Sequence, residues 1–429
     1  MKLFERLFKH ITLAFLLCFF APSTASSPNN EPTLQADSIE ISLLTCGPRQ
    51  QVYSLYGHTA IRFQDKQTGR DIAINYGVFS FDKPFFVLRF VFGLTDYEMG
   101  IAPFDIFEWE YDPTGCGVRQ QVLNLTAQEK MAIAQAVDRN MEPQNRVYRY
   151  NFFYDNCTTR ARDIIANNLN GRIVYDSSTP QHLNTSTPQH HNTPAQYPTF
   201  RNLIHNYNET HRWARFGNDL LLGVKADYNT TFEQQQFLPE RLCADFERAH
   251  IISADGTKRN LVSSSFWLFE PTTKQQSIQQ TNMSILDVFS PLVTFSILSI
   301  LTLIIAIVEY RRKRIIWVFD TSIMLTTGAC GLLLFAMIFS QHPTVSLNLQ
   351  ILLLNPINIF MLYSVTKAAR QNRIHWWTKA WSALILLLLA GSFLQSYAEG
   401  ITIVALSLLL RNISNIYTFK NTGSKQPEA

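Results

Sequence analysis

Apolar and polar positions divide this chain into two unlike parts. Up to about residue 275 hydrophobic residues come in short runs broken by polar turns, and from Val288 onward they form long stretches with few charges. In the first part, ISLLTC, TAIRF and DIAINYG predict strands, the last two joined through the turn-like QDKQTGR as a hairpin with His58 on its rim. An aromatic stretch, FSFDKPFFVLRFVFG, and a further strand near GVRQQVLNLT come next. A helix is predicted from Thr126 to Met141, opened by TAQE, a capping box. At YDNCTTRARD a polar turn becomes a helical pattern: Asn156 reads as N-cap, Ala161, Ile164, Ile165 and Leu169 form one stripe, and Asn170-Gly171 is the stop signal.

These elements predict a mixed α+β domain over 38–171. Residues 172–198 break the pattern with two near-copies of STPQHxN and read as a low-complexity surface insertion; its His182, His190 and His191 lack any fixed metal-binding geometry. Order resumes over 199–275, a helical and hairpin extension containing RFGNDLLLG, a helix in FLPERLCADFERAHI, a turn at ADG and the strand NLVSSSFWLF. His205 and His211 read there as structural or surface histidines.

The ends place this domain in the cell. Residues 1–25 carry a basic start, an apolar run from Ile11 to Phe20 and small residues at Ser23 and Ala25, the pattern of a secretory signal, with an uncleaved anchor as the alternative. The apolar runs over 288–415 predict an α-helical transmembrane bundle of about five spans, with four as the alternative. Arg311 to Arg314 follow the first span, and Lys367, Arg370, Arg373 and Lys379 follow the third. Both loops are therefore expected in the cytoplasm and the N-terminal domain on the exported side of the membrane. A formal charge of +4 is too mild to imply nucleic acid as a partner, and no Cys/His cluster has metal spacing, so no metal or cofactor is expected.

Export makes the cysteines informative. Cys46, Cys116, Cys157 and Cys243 fall in the exported part, where disulfides are permitted, and Cys46 at a strand end is the preferred disulfide candidate. Cys157 instead opens a helix, where unpaired backbone N–H groups and the helix dipole stabilise a thiolate. With His58 as base and Asn75 on the facing strand to orient it, a nucleophilic thiol site is complete in outline; a register of opposite parity would offer Tyr76 instead. The N–H of Cys157 would meet the oxyanion, with Tyr56 or Tyr154 as a further donor and Asn156 beside the sulfur. The competing account is an inert buried cysteine and a satisfied strand-end histidine; an unpaired thiol in an oxidising compartment weighs against it.

The order of GHxAIRF on a strand and NC opening a later helix resembles the permuted papain-like branch of the NlpC/P60 and lecithin:retinol acyltransferase superfamily. More closely, LLTCGPRQQVYSLYGHTAIRF, INYGVFSFD, YNFFYDNCTTRARD, RFGNDLLLG and QHPTVSLNLQILLLNP resemble the family that joins an Lnb-type N-terminal periplasmic domain to a C-terminal membrane bundle. That resemblance implies an acyltransferase of the bacterial inner membrane. A phospholipid would be the acyl donor, and the acceptor would be the N-terminal amine of a lipoprotein or another amine. The family's thiol and imidazole fall on Cys157 and His58. His342, in the loop expected on the periplasmic side, can position a headgroup or amine, or can be a plain helix-end histidine beside Pro343. Two other readings stay open: a periplasmic cysteine peptidase or amidase acting on cell-wall peptides, and a non-enzymatic membrane receptor.

Overall fold

A computed structural model of the chain describes residues 36–49, 51, 54–79, 84–85, 88–89, 92–176, 197–272 and 289–419. The expected signal segment and the STPQHxN repeats lie outside the described residues. The short runs of the first part form strands β1 (Ile39–Cys46), β2 (His58–Asp65), β3 (Arg70–Val78), β4 (Asp96–Pro103), β5 (Val118–Leu123), β6 (Val147–Arg149), β7 (Gly171–Val174), β8 (His250–Ser253), β9 (Lys258–Asn260) and β10 (Val262–Phe269). One sheet has the order β10-β5-β1-β2-β3-β4-β6, and a second has the order β7-β8-β9.

Alternation decides what each face of the large sheet meets. Ile39, Ile41 and Leu43 of β1, with Ile61, Ile74 and Met99, enter a core closed by helices Ala127–Met141, Cys157–Ala166 and Pro239–Arg248 through Ile133, Ala161, Ile165, Leu242 and Phe246. Their immediate neighbours Leu44, Ala60 and Ala73 point the other way, onto Phe104 and Phe107 of helix Phe104–Tyr111. Each fully buried Leu or Ile contributes about 2 kcal/mol by leaving water, so the two-sided burial of β1 anchors the domain. The capping box expected at Thr126 is present, with Thr126 and Glu129 bonded reciprocally. The segment read as an extension supplies the sheet's outer strand, β10, paired with β5.

The second part is a bundle of apolar helices. Pro291–Arg312, Trp317–Ile338, Leu349–Arg370 and Ile401–Phe419 are long and apolar enough to cross a membrane, and Trp376–Gly391 is shorter. An α+β domain followed by a membrane bundle is thus the architecture, as the patterning predicts. Inside the bundle Arg411 is buried between Glu309 and Asp320, with contacts of 2.7 Å to each, and Asn415 donates to Glu309 at 2.8 Å. Both basic loops lie together at one end: Asn372 accepts from the Ile315 N–H at 2.8 Å, and the Arg370 guanidinium stacks over Trp317 at 4.0 Å.

The other end of the bundle holds the N-terminal domain. Gly223 and Val224 donate from their backbone N–H groups to the carbonyls of Thr344 and Leu347, each at 2.8 Å. Gln395 donates to the Leu222 carbonyl at 3.0 Å, and Arg149 to Gln341 at 2.9 Å. Beneath these contacts Arg201, 1% exposed, bridges Asp219 and Asp227 at 2.8 Å each, and Gln350 of the bundle donates to the Asp219 carbonyl at 2.9 Å. Helix Arg212–Leu221 carries this seam, its Phe216 packed against Phe295 of the first span at 5.1 Å between ring centroids.

Candidate active site

The site lies where the start of β2 meets the start of helix Cys157–Ala166. Asn156 is the N-cap: its Oδ1 accepts from the N–H groups of Thr158 and Thr159 at 3.0 Å each, while Thr159 Oγ1 accepts from the Asn156 N–H at 2.9 Å. Its amide nitrogen donates to the carbonyls of Phe152 and Phe237, so every polar atom of this side chain is committed to holding the helix start. The structure therefore leaves Asn156 no group with which to contact a substrate, which corrects that part of its expected role. Next to it, Thr158 Oγ1 lies 3.1 Å from Thr59 Oγ1, a buried bond that ties the residue after Cys157 to the residue after His58.

Gly57 lets β2 begin where it does. Its φ of +77° is a left-handed conformation open to glycine, and a Cβ there would lie 2.5 Å from the Cys46 carbonyl oxygen. His58 then extends toward the sulfur. Its Nε2 lies 3.1 Å from Asn75 Oδ1, so Nδ1 is the nitrogen left for Cys157. Asn75 reaches it because β2 and β3 pair in the register Ala60 to Asn75, which puts His58 and Asn75 on one face.

Electrostatics couple the pair. Burial alone would push the Cys157 thiol up, but the charge and hydrogen bond of His58, with the Thr59 N–H and the Thr158 hydroxyl, bring it down to about 7. Burial likewise opposes the imidazolium, and the facing sulfur, with Asn75, raises His58 above its ordinary value. The two shifts agree on one state, a thiolate paired with an imidazolium. Such a pair adds readily to an electrophilic carbonyl carbon.

Aromatic side chains enclose this pair. Tyr97 stacks on Tyr150 at 4.1 Å and on Phe79 at 4.7 Å between centroids. Gly77, with φ +92°, leaves open a space whose edges are Tyr97, Cys157 Cβ and the Tyr148 hydroxyl, each 3.7 to 3.8 Å from where a Cβ would sit.

Other residues picked out from the sequence lie away from the sulfur. The Tyr56 hydroxyl accepts from Asn218 at 2.8 Å and from Asn208 at 3.5 Å, and burial raises it to about 12. Tyr154 is 41% exposed and meets Phe200 edge-on. His342 lies against Gly93 at the seam between domain and bundle. Cys46, Cys116, Cys157 and Cys243 are all free thiols, so the disulfide expected at Cys46 is not formed. Cys46 is instead sealed in the core beside Tyr111 and Cys116, where burial raises its thiol well above the ordinary value and leaves it a poor rival nucleophile. Thr59 and Thr158, which bind strand to helix, were missed by sequence reasoning. Their only signal is that each follows a reactive residue, and which hydroxyl meets which is decided by packing.

Residues 27–203 match the family described as the Lnb N-terminal periplasmic domain, and residues 280–422 match the Lnb transmembrane domain. No curated protein and no solved structure matches the chain.

Proposed function

Because the chain belongs to the family that joins an Lnb N-terminal periplasmic domain to an Lnb transmembrane domain, and is thus a membrane protein with a periplasmic domain, we propose that it is a thiol acyltransferase of the bacterial inner membrane. The observation that carries this reading is a Cys157 side chain hydrogen-bonded to the His58 imidazole on a domain that is itself hydrogen-bonded to a membrane bundle. The Cys157 thiolate adds to the ester carbonyl of a phospholipid. The tetrahedral intermediate collapses, the lysolipid oxygen leaves with the proton from His58, and the acyl group stays on sulfur as a thioester. The amine of a lipoprotein N-terminus, or another amine, then attacks that thioester, His58 takes the amine proton, and the thiolate is released. Asn75 orients the imidazole through Nε2 in both halves. His342, at the seam with the bundle, is assigned to holding the headgroup or acceptor close to the bilayer.

Docking to the bundle supports lipids rather than soluble peptides as substrates. A site held at the bilayer surface takes an acyl chain without drawing it through water, at about 0.8 kcal/mol for each methylene that would otherwise be exposed.

The test is to incubate the full-length protein with phospholipid carrying a labelled acyl chain and to map label by mass spectrometry. Label on the Cys157 peptide, lost in Cys157→Ser and His58→Ala and discharged by an added amine, is the expected result. A wild type that never carries label while it sustains triacylation of lipoproteins in cells excludes the thioester route. Activity on muropeptides by the domain without its bundle would transfer the site to peptidase chemistry.

A further inference from the structure

We propose that Tyr148 is an oxyanion donor of this site, its phenolic O–H bonding to the oxygen that becomes negative when the Cys157 thiolate adds to an acyl carbonyl. The assignment rests on the thiol chemistry proposed above. Tyr148 is only 6% exposed, yet its hydroxyl has no hydrogen-bond partner among the described residues. A buried hydroxyl left unpaired is destabilising, and in native structures such a group calls for an explanation, of which a catalytic role is one.

The hydroxyl borders the right space. It and Cys157 Cβ each lie 3.8 Å from where a Gly77 Cβ would be, so the missing side chain leaves a gap between donor and nucleophile. The Tyr148 ring is held for this: β6 pairs with β4 so that Tyr148 stands opposite Tyr97, and the Arg160 guanidinium stacks on it at 3.7 Å. Arg160 stands one turn after Cys157 on the same helix and is itself fixed by two bonds to Asp155, at 2.7 and 2.8 Å. The nucleophile's helix therefore also positions the donor. Burial, with the neighbouring sulfur, raises the phenol far above its ordinary value, so it keeps its proton while the thiol loses its own. The Cys157 N–H, in the first turn where no intrahelical acceptor exists, supplies the second donor. Neither tyrosine expected from the sequence competes, since the Tyr56 hydroxyl is bonded to Asn218 and Tyr154 faces outward.

In the step itself the sulfur–carbon bond forms as the carbonyl π pair moves to oxygen, and that oxygen accepts from Tyr148 and the Cys157 N–H. On collapse the pair returns, the carbon–oxygen bond to the alcohol breaks, and the leaving oxygen takes the proton of the His58 imidazolium. Tyr148 gives up no proton in the cycle.

The test uses the full chain in detergent with p-nitrophenyl octanoate, whose p-nitrophenol burst reports thioester formation. Tyr148→Phe is expected to slow the burst by about 100- to 1000-fold, the loss that follows removal of one oxyanion donor. Its iodoacetamide alkylation of Cys157 should keep the wild-type rate and pH profile, and its melting temperature should stay level or rise. A burst at the wild-type rate overturns the assignment, and so does a parallel loss of alkylation, which would tie Tyr148 to the thiol rather than to the oxyanion. Should Tyr148→Phe fold poorly, 3-fluorotyrosine at position 148, a stronger donor of nearly the same shape, is expected to hold or raise the burst, and a fall overturns the proposal. A wild type without a burst, or a Cys157→Ser variant that keeps one, sinks the thiol reading itself rather than the role of Tyr148.

Discussion

One cysteine in this chain differs from the others because of what surrounds its sulfur. Cys46 and Cys157 both sit at the ends of elements close to His58, but Cys46 is buried beside Tyr111 and Cys116, where burial dominates, and Cys157 faces an imidazole, an amide N–H and a hydroxyl. Alkylation against pH reads this difference. The depressed thiol is deprotonated above about 7, so the rate at Cys157 should rise through about 7 and level off beyond it. At one pH unit below that midpoint it falls roughly tenfold, because only the thiolate reacts. In His58→Ala the largest lowering partner is gone and burial is opposed only by the Thr59 N–H and the Thr158 hydroxyl; the midpoint should then move up from about 7 toward the ordinary thiol range. An unchanged midpoint in His58→Ala would show that the imidazole does not charge the sulfur. For the proposed acyl transfer a second limb is expected: once the raised imidazolium of His58 deprotonates at higher pH, the leaving oxygen loses its proton source and the rate should fall again.

At the scale of elements, the site is a junction of a strand start and a helix start, each fixed by a local device. Asn156 closes the helix end with four hydrogen bonds. Truncating an N-cap of this kind costs about 1 to 2 kcal/mol. Asn156→Ala should therefore lower the unfolding free energy by about that amount. It should also slow alkylation of Cys157, since the first turn that holds the sulfur loses its anchor; full stability with full reactivity would contradict the role given to the cap. The sequence discloses this device, because DNC before a helical stripe is a capping signal. It discloses the strand start less well. GH at the rim of a hairpin is visible, but the reason for glycine is the Cys46 carbonyl of another strand, 2.5 Å from where a Cβ would sit.

Taken whole, the molecule joins a periplasmic domain to a bundle whose interior carries a buried ion cluster. Arg411, Glu309 and Asp320 come from three different helices and pair with one another, while Asn415 and the Ile316 N–H also donate to Glu309. Removing one member strands the rest. Arg411→Ala should destabilise the bundle by about 3 to 5 kcal/mol. The triple change Arg411→Met, Glu309→Gln and Asp320→Asn should recover most of it. Unfolding in detergent micelles measures both, and equal stability of Arg411→Ala and wild type would rule out a structural role for the cluster.

Much of this was legible in residue order alone. The switch from short alternating runs to long apolar stretches fixes an α+β domain ahead of a membrane bundle, because strands and bilayer spans demand different hydrophobic periods and lengths. The helix start at Cys157 and the parity that turns Asn75 toward His58 are local too, since capping and hairpin register depend on neighbours in the chain. The tertiary structure decided what depends on distant residues meeting. It engaged Tyr56 with Asn218, set His342 at the seam, sealed Cys46 in the core, bound Thr59 to Thr158, and brought the Tyr148 hydroxyl, without a partner among the described residues, to the same gap at Gly77 as Cys157. Whether a polar atom is satisfied is a property of the space around it, and that space is lined by residues from all along the chain.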